Sequence, residues 1–291
     1  MGDLISIIIP TYNRSKLIER SLKSIEQQTI KNYEIIIIDN HSTDNTSSVV
    51  NSFSHLPIKY YVVDNNNNIA RSRNFGIKNS KGNIIAFLDS DDYWHTKKLE
   101  ICYKKINQGY DFVFHNLKLV KKSNTLLGKK YLKGRKLKKP FYKDLILNGN
   151  PICNSSVMVK KSLLINVNLI NESDKLRATE DYNTWIKISK LTDKICFLNV
   201  CLGFYQYDLN SVSKKNMSFP TLFATKEFFK LLTKKELNLA KSRIFYMNAK
   251  YNFDNNNFEF CIKKFKISLK FASYIIKIKS IYYLILLFFK N

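Results

Sequence analysis

Short β-branched runs recur through the first part of the chain, at Leu4–Ile9, Glu34–Ile38, Ile58–Val63, Ile84–Leu88 and Phe112–Phe114. Each is too short for a helix, and the stretches between them, near Ser15–Gln28, Asn45–Phe53, Ile69–Asn79 and Tyr93–Asn107, carry helical spacing. That alternation predicts βαβ units around a mostly parallel sheet covered by helices on both faces, an α/β fold of the Rossmann type. Three of the runs break into polar sequence at once: Pro10-Thr11-Tyr12-Asn13, Asp39-Asn40-His41-Ser42 and Asp89-Ser90-Asp91-Asp92. Open α/β sheets bind ligands beyond the carboxyl ends of their strands, so these three segments are expected to share one crevice.

A chain of 291 residues accommodates one large core and a tail. From Leu117 to Lys143 the strand pattern weakens. Lys121, Lys122, Lys129, Lys130, Lys133, Arg135, Lys136, Lys138 and Lys139, with Gly128 and Gly134, read as a mobile basic loop or ribbon. Strand-like alternation returns at Ile152–Val159, and an acidic pair, Glu180-Asp181, precedes a helical pattern containing Tyr182, Trp185 and Ile186. Beyond Ser218 the sequence is helical. Its last stretch sets Lys266, Lys270, Lys277 and Lys279 beside the apolar run Ile281–Phe289, the composition of a helix lying in a membrane interface.

Lysine and arginine outnumber acids 48 to 23, a net charge of +25 that favours anionic partners: nucleic acid, lipid head groups or phosphorylated substrates. The five cysteines form neither a CxxC pair nor a zinc-type spacing, and their odd number suits reduced thiols better than a disulfide framework. The N-terminal residues lack the basic region of an export signal, and no stretch approaches the roughly 18 apolar residues of a membrane span. His41, His55, His95 and His115 have no metal-ligand spacing.

Glycine-rich phosphate cradles are absent, so phosphate must be held by other means. Asp89 and Asp91, two apart at a strand mouth, suit a hard divalent cation that bridges a diphosphate. The competing reading makes Asp91 or Asp92 the N-cap of the next helix. Likewise Asp44 and Thr46 suit a turn and cap, and Pro10 a strand end.

Four segments then occur in order: Ile8-Ile9-Pro10-Thr11-Tyr12-Asn13, Asp39-Asn40-His41-Ser42-Thr43-Asp44-Asn45-Thr46, Ala70-Arg71-Ser72-Arg73-Asn74-Phe75-Gly76, and Gly82 through Asp92 with its acidic end. In these the chain resembles the family 2 glycosyltransferases, across about residues 4–207 and most densely to about residue 95. The resemblance implies a GT-A-like fold. It implies that Pro10, Thr11 and Asn13 line a base pocket, Asp39 holds uracil or ribose, Arg73 approaches the diphosphate, and Asp89 and Ser90 meet the nucleotide sugar. Asp91, with Asp89, would bind Mn²⁺ or Mg²⁺. Ser72 departs from the family's usual alanine, and Arg71 is an added arginine, so either arginine is a candidate for the phosphate. An inverting transfer also needs a base, for which Asp181 and Glu180 are the candidates; acids that merely favour the helix dipole are the alternative.

The expected enzyme is an inverting, metal-dependent glycosyltransferase. It passes a hexose or N-acetylhexosamine from a UDP-sugar to a saccharide acceptor, such as an undecaprenyl-diphosphate-linked sugar in O-antigen, capsule or lipopolysaccharide assembly. It is expected in the cytoplasm, peripheral on the anionic inner face of the membrane. Residues 1–217 form the expected catalytic domain, with a nucleotide-sugar half to about 115 and an acceptor half from about 116, and 218–291 a helical, membrane-associating region. Two other functions compete: a nucleotidyltransferase, which would release pyrophosphate, and a basic nucleic-acid-binding protein, which leaves the acidic strand ends unexplained.

Overall fold

The isoleucine runs become the middle of one sheet. In the computed structural model, which describes residues 2–120, 131–207 and 215–289, β1 (Ile5–Thr11), β2 (Tyr33–Asp39), β3 (Ile58–Val62) and β4 (Ile84–Phe87) are parallel and lie in the order β3-β2-β1-β4. Because side chains alternate along a strand, Ile8, Ile36, Ile38, Ile85 and Phe87 enter one core while Ile5, Ile7, Ile9, Ile35 and Ile37 enter another on the opposite face. The crossovers are α1 (Ser15–Glu26), α2 (Thr46–Asn51) and α3 (Ile69–Asn79). Gly76 lets α3 lie close on the sheet: a Cβ there would sit 2.7 Å from Ile8 Cγ2 and 2.9 Å from Ile38 Cδ1.

After β4 the chain departs from the sequence expectation. Tyr93–Trp94 is a short strand, β5, and α4 runs only from Lys98 to Asn107. The rest of this half comprises β6 (Phe112–Val120), β7 (Tyr131–Leu132), α5 (Phe141–Asn148), β8 (Met158–Lys160), α6 (Lys161–Asn166), α7 (Glu180–Leu191) and β9 (Ile195–Gln206). The sheet continues β4-β8-β6-β9-β5, with β8 antiparallel to both neighbours and β9 parallel to β6. Tyr93 pairs with Phe204 and stacks on its ring at 4.4 Å, a long-range partner that outcompetes helix propensity at 93–94. The strand expected over Ile152–Val159 is also shorter, because Asn154–Ser156 is a 3₁₀ turn.

Lys121, Lys122, Gly128, Lys129 and Lys130 of the expected basic loop lie outside the described residues. The part from Lys133 to Lys139 is docked rather than free: Gly134 N donates to Asn116 Oδ1 at 2.8 Å, Arg135 pairs with Asp144, and Leu137 is buried.

The C-terminal helices are α8 (Ser218–Lys226), α9 (Lys234–Asp254), α10 (Phe258–Phe271) and α11 (Tyr274–Phe288). Packing crosses residue 218, since Ala224, Phe228 and Ala240 share a core with Trp185 and Phe87. Ala249, Cys261, Phe265 and Leu287 form a separate small core, with Tyr283 stacked on Phe265 at 5.3 Å. Among the described residues no helix is long and apolar enough to cross a membrane.

Candidate active site at the end of β4

The three aspartates that leave β4 have three environments. Asp92 is buried, accepting from Ser155 Oγ at 2.5 Å and from the Gln206 backbone N–H at 2.9 Å. Neither it nor Asp91 caps α4, whose N-cap is Lys97. Asp89 Oδ1 faces inward, accepting from Arg73 Nη2 at 2.8 Å and Asn154 Nδ2 at 3.2 Å. Asp91 keeps its carboxylate partly exposed, with Arg14 Nη1 3.8 Å away, while its carbonyl accepts from Arg20 at 2.7 Å. Ser90 is buried, and its carbonyl lies 3.0 Å from Ser21 Oγ of α1. Burial and the charges of Asp91 and Asp89 push Asp92 well above the usual aspartate range. Burial and Asp89 raise Asp91, with Arg14 opposing.

Arg73, only 3% exposed, ties three elements together. Nη1 donates to Glu180 Oε1 at 2.7 Å on α7, and Nη2 to Asp89. Burial works against its charge, but Asp89 and Glu180 outweigh burial and hold the guanidinium above its ordinary value. Arg71, two positions earlier, points away and lies 3.6 Å from Glu172 at the surface. The arginine at the acidic cluster is therefore Arg73. Asp181 follows Glu180 at the start of α7; burial and the Glu180 charge push it up to about 7, against the pull of Arg73.

The ends of β1 and β2 form a polar shelf beside this cluster. Asn13 has a positive φ of 48°, and its Oδ1 accepts from the Thr43 N–H at 2.7 Å. Asp39 is buried and accepts from Ser42 N, from Ser42 Oγ and from the Tyr60 hydroxyl. Asp44 receives the Ser15 N–H at 3.0 Å, and hydrogen bonds from Thr46 and Ser15 outweigh burial to hold it at about 2. Pro10 and Thr11 are buried at the strand end, and Thr11 Oγ1 has no hydrogen-bond partner among the described residues.

A cleft of about 750 Å³ opens over Arg73, Asp89, Asn154, Glu180, Asp181 and Tyr205. Pro10, Thr11, Asn13, Asp39, Ser90 and Asp91 are not among its walls, so the expected single crevice divides into a polar shelf and a cleft, with Asp89 in the cleft and Arg14 of the shelf side 3.8 Å from Asp91. Of the histidines, His95 is exposed with its ring against the Lys97 N–H, and His115 is buried and pushed down to about 3 by that burial.

The family description Glycosyl transferase family 2 matches residues 6–165, which is more than half of the chain. The chain belongs to glycosyltransferase family 2. This glycosyltransferase is 31% identical over 221 residues to the UDP-Glc:alpha-D-GlcNAc-diphosphoundecaprenol beta-1,3-glucosyltransferase WfgD of Escherichia coli, covering 75% of this chain and 82% of that one. Among solved structures it is similar to S. aureus TarS 1-349 in complex with UDP-GlcNAc, with TM-score 0.69, 19% identity, and 94% of this chain and 82% of that chain covered. It is also similar to the mannosyltransferase PcManGT from Pyrobaculum calidifontis in complex with GDP-Man and Mn²⁺, with TM-score 0.63, 15% identity and coverage of 98% and 81%. These two likenesses are of fold, and that fold is GT-A. Family membership decides for a glycosyltransferase over the nucleotidyltransferase and nucleic-acid-binding alternatives.

Family 2 enzymes of this fold commonly use a divalent metal, and the donor set here fits one. Asp89 and Asp91, two apart at one strand end, offer carboxylate oxygens of the kind a hard cation takes, and burial together with the neighbouring Asp89 charge raises Asp91, a cost that a cation would offset. Among the described residues no three acidic, histidine or cysteine side chains converge into a complete cage, so a cation held by the glycosyltransferase needs oxygens from its ligand. Sequence reasoning missed Asn154, Ser155, Tyr205 and Gln206. The available signal was the polar trio Asn154-Ser155-Ser156 directly before the apolar Val157-Met158-Val159.

Proposed function

We propose that this glycosyltransferase transfers a hexose or N-acetylhexosamine, with inversion, from a UDP-sugar to a saccharide acceptor carried on undecaprenyl diphosphate. The observation that carries this reading is Asp181, pushed up to about 7 at the wall of a cleft shared with Arg73 and Asp89. A carboxylate of that basicity is suited to take the proton of an attacking hydroxyl at neutral pH. The donor and acceptor in the name of WfgD, UDP-Glc and GlcNAc-diphosphoundecaprenol, support the same substrate classes.

In this reading Asp181 is the base, and Glu180 pairs through Oε1 with Arg73 while its Oε2 has no partner among the described residues. Pro10, Thr11, Asn13 and Asp39 make the base and ribose shelf, while Asp89 and Ser90 carry the chain past the donor sugar. Asp91, with Asp89, would hold Mn²⁺ or Mg²⁺, which when bound offsets charge on the leaving diphosphate. Arg73 keeps Asp89 and Glu180 oriented, and the positive charge it places beside Glu180 Oε1 leaves Asp181 the more basic of the two carboxylates at the start of α7. The enzyme works at the inner membrane face, since the outward side of α11 exposes Tyr274, Ile278, Ile281, Ile285 and Phe288.

The test is thermal stabilisation and slow donor hydrolysis across UDP-, GDP- and dTDP-sugars with Mn²⁺ or Mg²⁺. UDP-sugars should stabilise the protein and release UDP in the presence of metal. Stabilisation by GDP- or dTDP-sugars alone would overturn the donor assignment.

A further inference from the structure

A second concavity, about 540 Å³, lies far along the chain from the acidic cluster, where the start of α9 meets the turn between α10 and α11. Its walls include Lys234, Lys235, Lys270 and Lys277, with Asn238 and Phe271, and no acid lines it. Some lysines of this protein have carboxylate partners, among them Lys143 with Glu236, Lys59 with Glu34 and Lys160 with Asp111. These four have none within ion-pair distance among the described residues. Four lysines border one concavity with no acid among its walls, an excess of positive charge that a polyoxyanion with several acceptor oxygens would offset.

The neighbourhood selects the kind of anion. Lys277 sits in the first turn of α11, beside Tyr274, Ile275 and Ile278, which are 78%, 65% and 50% exposed. From that rim the exposed positions continue as Ile281, Tyr282, Ile285 and Phe288, one face of the helix at its natural spacing. The opposite face, with Ser280, Tyr283 and Leu287, is turned to α9 and α10. A water-soluble phosphate would have no use for an apolar stripe starting at the pocket's edge. An amphiphile uses both.

We infer that the lysine pocket seats the phosphate of an anionic lipid head group, with the outer face of α11 lying among the acyl chains. The site rests on the proposed membrane-side function for its setting, and not on the identity of donor or base.

The experiment measures co-sedimentation of the full chain with phosphatidylcholine vesicles, with and without phosphatidylglycerol. The wild type should bind only when phosphatidylglycerol is present. The pair Lys270→Gln/Lys277→Gln should weaken that binding by roughly twentyfold, given the contribution of each lysine near a charged surface. Lys263→Gln/Lys266→Gln removes the same charge from exposed α10 positions outside the pocket, and should weaken it by no more than about threefold. Equal losses in the two pairs, or a wild type indifferent to phosphatidylglycerol, overturn the site. Inorganic phosphate at constant ionic strength should release vesicles only at high concentration, since it lacks the acyl chains; stabilisation of the wild type by inorganic phosphate, lost in Lys270→Gln/Lys277→Gln while vesicle binding of that pair is unchanged, would assign the pocket to free phosphate instead. Transfer onto a water-soluble acceptor, unchanged in both pairs, shows that they are folded. If the wild type binds these vesicles but turns over no UDP-sugar, the proposed function fails while the lipid site stands.

Discussion

The end of β4 and the outer face of α11 break the same rule in opposite directions. At β4 the chain takes charge inside: Asp92, Arg73 and Glu180 are each under a tenth exposed. At α11 it leaves Tyr274, Ile275 and Phe288 more than half exposed. Buried charge persists only when paired and hydrogen-bonded, and here α3, α7, the 3₁₀ turn at Asn154–Ser156 and β9 supply partners, while Arg73 Nε, Glu180 Oε2 and Asn154 Oδ1 are left without one among the described residues. Exposed apolar surface costs little in folding terms, and it marks where another phase or partner is met. Charge in the first region is therefore balanced largely by partners within the molecule, whereas the apolar face of the second has no partner among the described residues.

The sharpest break of that comparison is Asp91→Asn. It should lower Mn²⁺-supported turnover by at least about a thousandfold, roughly 4 kcal/mol, with an unchanged thermal melt. Near-normal UDP release by this variant would falsify the metal assignment.

Asp181→Asn should lower transfer by about 10²- to 10⁴-fold while UDP binding, followed by calorimetry, stays within about twofold. Because the base must be ionised and its value is about 7, wild-type transfer should fall about tenfold per unit as pH drops below 7. The stability effect has the opposite sign. A folded-state value above the unfolded aspartate's (about 3.9) makes this group favour the fold most below that value, and the contribution is lost as pH rises through 7. A pH profile unchanged in Asp181→Asn would move the base elsewhere.

Arg73→Ala leaves Asp89 and Glu180 facing each other without a counter-charge and should destabilise the fold by about 3–5 kcal/mol. Arg71→Ala removes only a surface contact and should cost less than about 0.5 kcal/mol. Equal chemical-denaturation midpoints for the two would contradict the inward placement of Arg73.

The smallest effect on folding belongs to α11. Ile278→Ser with Ile285→Ser should change stability by less than about 0.5 kcal/mol while weakening vesicle binding, whereas Phe265→Ala in the small core beneath should cost about 3–5 kcal/mol. A large stability loss in the serine pair would mean that this face packs against something.

What the sequence alone determined lies where the determinants are local. Continuous β-branched runs within Ile5–Thr11 and Tyr33–Asp39 specified strands buried on both faces, the spacing of Ile69–Asn79 specified a helix, and the four ordered motifs pointed to the family. Only the tertiary structure chose Arg73 over Arg71 for the acidic cluster, since residues two apart on a helix face different ways and neither advertises its partner. The same holds for the supports of Asp92: Ser155 is 63 residues away and the Gln206 backbone 114, on elements that touch only after β8 and β9 join the sheet. Tyr93–Trp94 has helix-compatible neighbours and became a strand because β9 offered a ladder and a stacking ring. Local pattern sets which elements form, but hydrogen bonds between distant elements set which polar side chain ends up unpaired and able to react, and no window along the chain contains both ends of such a bond.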